Sequence, residues 1–202
     1  MAFLRSPLPE DYLDAIRGQT LVLRPPAVAD YPAWAELRAL SRSHLTPWEP
    51  SWSRDDLSRQ MFRRRLRAYA KDVRDDIGYS FFICDASSNQ LVGGITLSNV
   101  RRGAAQTASL GYWVGKPFAG QGRMKDAVKI VLPFAFTSLR LNRVEAACMP
   151  SNAASIRVLE STGFLREGLA RSYLKINGRL EDHLLFAALG SDRASQHFAR
   201  PV

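Results

Sequence analysis

Apolar positions in this chain alternate between two-residue and helical spacing, and the switches between them mark out the elements. Leu21-Val22-Leu23-Arg24 reads as a first strand, stopped by Pro25-Pro26. Asp30 then caps a helix whose apolar face is Ala33, Trp34, Leu37 and Leu40. Two prolines make His44-Leu45-Thr46-Pro47-Trp48-Glu49-Pro50 a loop. From about Asp55 to Arg74 a second helix puts Phe62, Leu66, Tyr69 and Val73 on one face. Arg59, Arg63, Arg67 and Arg74 fall on the other, with Arg64 and Lys71 beside them.

Tyr79–Asp85 and Leu91–Asn99 form a hairpin around the polar turn 86–90, and a third strand of this meander carries Leu110, Tyr112 and Val114. A helix follows, with Met124, Ala127, Val128, Val131, Leu132, Ala135 and Leu139 at helical spacing. Next come a strand over 143–148 and a short helix opened by Ser151-Asn152 and closed at Gly163, with Phe164 folding back on Leu159. Strands near 165–174 and 180–189 meet at the Asn177-Gly178 turn. The expected fold is α/β, a mixed sheet of about seven strands flanked by four helices. Residues 1–18 read as a lead-in, 19–189 as one domain and 190–202 as a frayed tail.

A glycine-rich loop joins the fourth strand to the helix behind it. Pro117-Phe118-Ala119-Gly120-Gln121-Gly122 places almost no side chain before the helix N-terminus, so backbone N–H groups and the helix dipole face whatever lies above. Arg123 and Lys125 add positive charge at the same end. A pyrophosphate suits such a junction; a tight connection needing glycines for geometry alone is the other reading. A P-loop is excluded because Gly122 is followed by Arg123 and Met124, and a Rossmann fingerprint lacks its third glycine.

The 202 residues carry 46% hydrophobic content and a net charge of +9, enough for one core and a pull towards polyanions, including coenzyme A phosphates, RNA and ribosomes. The basic helix is either a solvated face or part of that attraction. Cys84 and Cys148 are far apart in apolar runs and read as reduced and buried. His44, His183 and His197 have no metal-ligand spacing. No stretch approaches the ~18 apolar residues of a membrane span, and the first residues lack a signal-peptide core, so a cytoplasmic protein is expected.

The loop resembles the coenzyme A pyrophosphate loop of the GNAT acyltransferases, Gln/Arg-x-x-Gly-x-Gly/Ala, with Pro117 in place of the first Gln or Arg. Asn152-Ala153-Ala154-Ser155 followed by Gly163-Phe164 and Gly168 is similar to the coenzyme A-side motif of the same family. On local grounds alone Asn152 and Gly163 are helix caps. Leu23-Arg24-Pro25, Leu45 to Pro50, Ser98 to Gly103, Leu110-Gly111-Tyr112, Met149 to Asn152, Gly163-Phe164 and Asp182-His183 together resemble the RimJ-type ribosomal-protein-alanine N-acetyltransferases over roughly 19–189.

That resemblance implies an acetyl-CoA-dependent N-acetyltransferase without a metal, acting on a protein N-terminus, with a small-molecule amine or a non-catalytic RNA-binding role as alternatives. It implies cofactor contacts from Gly120, Gln121, Gly122, Arg123, Met124, Lys125, Asn152 and Ser155, and an oxyanion donor at the Trp113 or Val114 backbone N–H. Ser155 is then the candidate proton donor, with Tyr173 second. Glu49 is a candidate base or an exposed loop acid, and Trp48 with Glu49 offers a wall and counter-charge for the acceptor. Asp182-His183 opens the last strand and reads as structural, with substrate contact as the minority reading. An α-amine with pKa ~7.7–8.0 needs little base help at pH 7, unlike a lysine at ~10.4.

Overall fold

The computed structural model describes residues 14–192, so positions 1–13 of the lead-in and 193–202 of the tail, His197 included, lie outside the described residues. Eight strands form one sheet in the order β1-β2-β3-β4-β5-β6-β8-β7. They are β1 Ile16–Arg17, β2 Leu21–Arg24, β3 Tyr79–Asp85, β4 Leu91–Arg101, β5 Thr107–Val114, β6 Arg143–Cys148, β7 Leu165–Ile176 and β8 Arg179–Leu189. The expected mixed sheet is therefore present, with one strand more than expected. β1 lies inside the lead-in, paired antiparallel with β2 through Ile16↔Leu23. It makes the strand counted fourth in the sequence β5.

Five α-helices occur among the described residues: α1 Tyr31–Leu40, α2 Arg42–Leu45, α3 Arg59–Arg74, α4 Arg123–Pro133 and α5 Ala153–Ser161. One sheet face carries Phe81, Ile83, Ile95, Leu97, Ala108 and Val144 against Ala127, Val128 and Val131 of α4 and Leu159 of α5. The other carries Phe82, Cys84 and Leu91 against Trp34 and Leu37 of α1 and Phe62 of α3. Each fully buried Leu or Phe contributes roughly 1.5–3 kcal/mol, so both layers are held mainly by this burial.

Several expectations need correction. Leu40 is 60% exposed and Ala33 is exposed, because α1 turns Trp34, Leu37 and the buried Arg38 to the sheet instead. Asp30 is the residue before α1 but caps nothing there; its carboxylate binds the Arg24 guanidinium at 2.8 and 2.6 Å and the Ala27 N–H at 2.7 Å. The 44–50 stretch is not all loop: α2 is followed by a 3-10 turn over Thr46–Trp48, where Pro47 is tolerated in a first helical turn. Helix α3 begins at Arg59 rather than Asp55, since the Ser58 hydroxyl accepts from the Met61 N–H at 3.2 Å and starts it there.

The helix expected to reach Leu139 stops as an α-helix at Pro133. A five-residue π turn, Phe134–Ser138, continues it, closed by the Leu139 N–H donating to the Phe134 carbonyl at 2.9 Å. Gly163 ends α5 as expected, at φ 90°, with Phe164 N–H on Leu159 O at 3.1 Å and Gly163 N–H on Glu160 O at 3.3 Å. That pair of bonds is a Schellman motif. Asn177 and Gly178 both have positive φ at the β7–β8 turn.

Candidate functional site

A gap opens in the middle of the sheet. β5 and β6, the only parallel neighbours among the described residues, pair just at Thr107↔Arg143, Ala108↔Val144 and Ser109↔Glu145. Beyond Ser109, β5 stays paired with β4 out to Val114, while β6 stays paired with β8 out to Cys148. The strands separate, and a cavity of about 490 Å³ fills the space. This is within the roughly 300–1,000 Å³ of small-molecule sites.

Register decides which peptide groups face the gap. The Gly115 N–H donates to Val92 O at 2.9 Å, so Gly115, Trp113 and Gly111 form the hydrogen-bonded pairs with β4. The alternate residues Leu110, Tyr112 and Val114 turn their N–H and carbonyl groups away from β4, into the gap. Of the two expected oxyanion donors, Val114 has the gap-facing N–H. The Trp113 peptide belongs to the ladder, and its indole fills the space over Gly94, where an added Cβ would lie 2.4 Å from Nε1.

The glycine loop closes one end of the cavity. Gly120 and Gly122 sit at φ 75° and 76°, and a Cβ built on either would meet nothing within 4 Å. Their backbone requires the left-handed region, and the space above them is open. Gly122 caps α4 with no side chain, and the Asp126 N–H to Gly122 O bond at 3.1 Å opens the helical ladder. The N–H groups of Arg123, Met124 and Lys125 precede that ladder and have no intrahelical acceptor. Arg123 and Lys125 oppose the helix dipole here, an arrangement that an anion would relieve. Arg123 is also paired with Asp85 at 3.0 Å. Gln121 departs from expectation: its amide turns back to the Pro117 carbonyl at 2.7 Å and does not border the cavity.

The first turn of α5 forms the next wall. The Asn152 side chain accepts from the Ser155 N–H at 3.0 Å, which is capping, and both residues border the cavity. The Ser155 hydroxyl lies 2.7 Å from the Tyr112 hydroxyl. Burial raises the Tyr112 phenol well above its ordinary value, against a smaller lowering by the Ser155 bond, so it holds its proton at neutral pH. Burial likewise raises the Cys148 thiol beside them.

Sheet parity places Leu110, Tyr112, Ala146 and Cys148 on the α4–α5 face, and Gly111, Trp113, Ala147 and His183 on the α1–α3 face. His44, Trp48 and Glu49 border the cavity on that second side. Glu49 is a braced carboxylate. Arg38 grips it with two bonds of 2.8 and 2.7 Å, and the Trp52 indole donates to it at 2.9 Å. The Arg38 guanidinium lies between the rings of Trp52 and Trp113, at 4.2 and 5.0 Å from their centroids. The β7–β8 turn ties the same loop down, with Asn177 N–H on Glu49 O at 3.0 Å.

Tyr173 is half exposed on an irregular stretch of β7, outside the cavity wall, and packs edge-on against His183 at 5.8 Å. Sequence reasoning missed Tyr112, Arg38 and Trp52, and held His183 at the site only as a minority reading, whereas it borders the cavity. Strand parity puts Tyr112 with Leu110 and Val114, whereas Arg38, a charge beside Leu37, reads as part of the solvent face. Nothing local pointed to Trp52. Among the described residues no cluster of His, Cys, Asp and Glu can hold a metal, and no helix is long and apolar enough to cross a membrane.

Comparison with known proteins places this architecture. The family model for the acetyltransferase (GNAT) domain matches residues 20–165. The Bacillus subtilis (strain 168) protein "Probable N-acetyltransferase YjcK" is 38% identical over 177 residues, 88% of this chain and 98% of that protein. The ribosomal protein uS5-alanine N-acetyltransferase of Escherichia coli (strain K12) is 31% identical over 167 residues, covering 82% and 86% of the two chains. The structure of Mycobacterium smegmatis RimJ in complex with a CoA-disulfide superposes with a TM-score of 0.81 at 32% identity, covering 87% of this chain and 86% of that one.

Proposed function

The chain belongs to the GNAT acetyltransferase family, and from that premise we propose that it acetylates the α-amine of a protein N-terminus. The acceptor we assign is an alanine of a small-subunit ribosomal protein, with acetyl-CoA as acetyl donor and direct attack in a ternary complex. The relationship to a ribosomal-protein-alanine N-acetyltransferase supports that acceptor class. The observation that carries the reading is a gap bordered from both sheet faces, with a glycine loop at a helix N-terminus on one side and an aromatic, carboxylate-bearing mouth on the other.

Acetyl-CoA supplies an activated acyl group on a thioester and a leaving thiolate. The chain's own residues divide the remaining work. N–H groups of Arg123, Met124 and Lys125, with the two cationic side chains, fit a pyrophosphate. The gap-facing peptides of Tyr112 and Val114 suit an extended amide-bearing arm that adds to the edge of β5. The Val114 N–H is then the donor for charge developing on a carbonyl oxygen. Ser155, backed by the protonated Tyr112 phenol, supplies a proton to the leaving sulfur. Asn152 holds that turn of α5 in place.

Trp48 and Glu49 form the acceptor wall, as expected, but Arg38 and Trp52 already occupy the Glu49 oxygens. Glu49 therefore fits the task of shaping and polarising the mouth better than that of taking the proton. Tyr173 reaches the site through His183 rather than directly.

The exposed Arg63, Arg64, Arg67 and Arg74 of α3 give the molecule a basic side suited to an RNA-rich particle around the acceptor, in a cytoplasmic setting. Residues 19–189 act as the catalytic unit. Turnover of acetyl-CoA against alanine-starting peptides, N-blocked peptides and small polyamines tests the assignment, because only the first set should be consumed.

A further inference from the structure

His183 is 3% exposed, yet it borders the cavity. Its Nδ1 lies 2.9 Å from the Glu181 carbonyl oxygen, which can only accept, so Nδ1 carries the hydrogen and Nε2 of the neutral ring carries the lone pair. Among the described residues nothing else hydrogen-bonds the ring, and Tyr173 fixes its plane by an edge contact. A backbone carbonyl on one nitrogen is the device that sets a histidine tautomer and leaves the other nitrogen for chemistry.

Its place in the sheet gives that lone pair a task. Cys148↔Leu184 and Ala147↔Leu185 fix the β6–β8 register, so His183 lies on the α1–α3 face, the face of Trp113 and the Glu49 mouth. Ser155 and Tyr112 border the gap from the opposite face. The Ser155–Tyr112 pair and the His183 ring thus border the same cavity from opposite faces of the sheet.

We propose that His183 is the catalytic base, accepting through Nε2 the proton that the acceptor amine loses. As the C–N bond forms, the amine N–H breaks and its proton goes to Nε2. The C–S bond breaks with its electron pair on sulfur, and the sulfur takes a proton from the Ser155–Tyr112 pair. No oxidant or further reactant is needed. This rests on the reading that an amine enters from the α1–α3 face.

The titratable groups around His183 are Tyr173 on β7, Glu181 and Asp182 on its own strand, Cys148 on the neighbouring strand β6 and Tyr112 across the gap. His44 and Glu49 stand on the facing wall, and Arg123, Lys125 and Arg157 line the phosphate end. Asp182 is engaged elsewhere, accepting from the Ser172 N–H at 2.8 Å.

The test uses the full chain, acetyl-CoA and an alanine-starting peptide, with kcat/KM followed from pH 5 to 9 and coenzyme A binding followed by thermal shift. With both an imidazole and the substrate amine needing to be unprotonated, log kcat/KM for the wild type should rise with slope two at the acid end. His183→Asn should lower kcat/KM on the order of 10²-fold and reduce that slope to one, with the coenzyme A shift retained. Added imidazole should restore part of the rate to His183→Gly. A His183→Asn enzyme within about twofold of wild type and with an unchanged profile overturns the proposal alone. Failure of the wild type to bind coenzyme A at all overturns the acetyltransferase reading beneath it.

Discussion

The hydroxyls of Tyr112 and Ser155 meet at 2.7 Å across 43 residues of sequence, joining the strand that lines the gap to the helix that closes it. Neither residue is charged at neutral pH, and burial raises the Tyr112 phenol, so the pair keeps its protons over the working range.

A proton delivered only as the C–S bond breaks stabilises the transition state and not the bound ground state. Ser155→Ala and Tyr112→Phe should each lower kcat by roughly 10²-fold while the coenzyme A thermal shift stays near wild type. The double variant should be little worse than either single one, because the two act as a unit. Full activity in Ser155→Ala together with its loss in Tyr173→Phe would transfer the donor role to Tyr173.

The same phenol sets an alkaline limit on stability. Its folded pKa is raised, so its contribution is intact below the unfolded value of ~10 and is lost as pH climbs beyond it. Tyr79 behaves alike, raised by burial and by its Asp76 bond. Melting temperature should fall above pH 10, and Tyr112→Phe should make that fall shallower. An identical alkaline profile in the variant would mean that Tyr112 is not desolvated.

Gly122 separates backbone strain from ligand space. Asparagine tolerates the left-handed conformation, whereas valine there costs about 1–2 kcal/mol. Gly122→Asn should fold with a near-normal melting temperature and still bind coenzyme A at least tenfold more weakly, since its side chain enters the open space above the loop. Gly122→Val should lose both stability and binding. Undiminished coenzyme A binding in both variants would remove the loop from the site.

Glu49→Gln keeps the shape of the Arg38–Trp52 clamp but removes the charge. KM for an alanine-starting peptide should rise about tenfold, the size of one charged hydrogen bond worth about 1.5 kcal/mol, with kcat little changed. A collapse of kcat with KM little changed would instead make Glu49 the base.

Reversing Arg63 and Arg67 to glutamate should weaken ribosome co-sedimentation at low salt and flatten its salt dependence. Acetylation of the free peptide should remain, because α3 lines no part of the cavity. Equal loss of peptide turnover would place the helix in the catalytic path.

The sequence disclosed those parts of the site that local rules enforce. Gly120 and Gly122 stood out because their positive φ needs glycine, and Asn152 and Gly163 because helix ends need caps. Groups brought in by register did not stand out. Tyr112 reaches Ser155 only once β5 and β6 have separated, and His183 reaches the cavity through the β6–β8 pairing. Arg38 lay hidden for a different reason. On α1 a charge beside Leu37 reads as the solvent face, yet Trp52, Trp113 and Glu49 together make a buried site for it. The short β1 and the π turn after Pro133 carry too few residues to show a period.

The most direct test of the account is mass spectrometry of an alanine-starting peptide after incubation with the enzyme and acetyl-CoA, with thiol release measured in parallel. One acetyl group on the α-amine, matched by one equivalent of coenzyme A thiol, is the predicted result. An unmodified peptide beside a rapidly acetylated polyamine would contradict it.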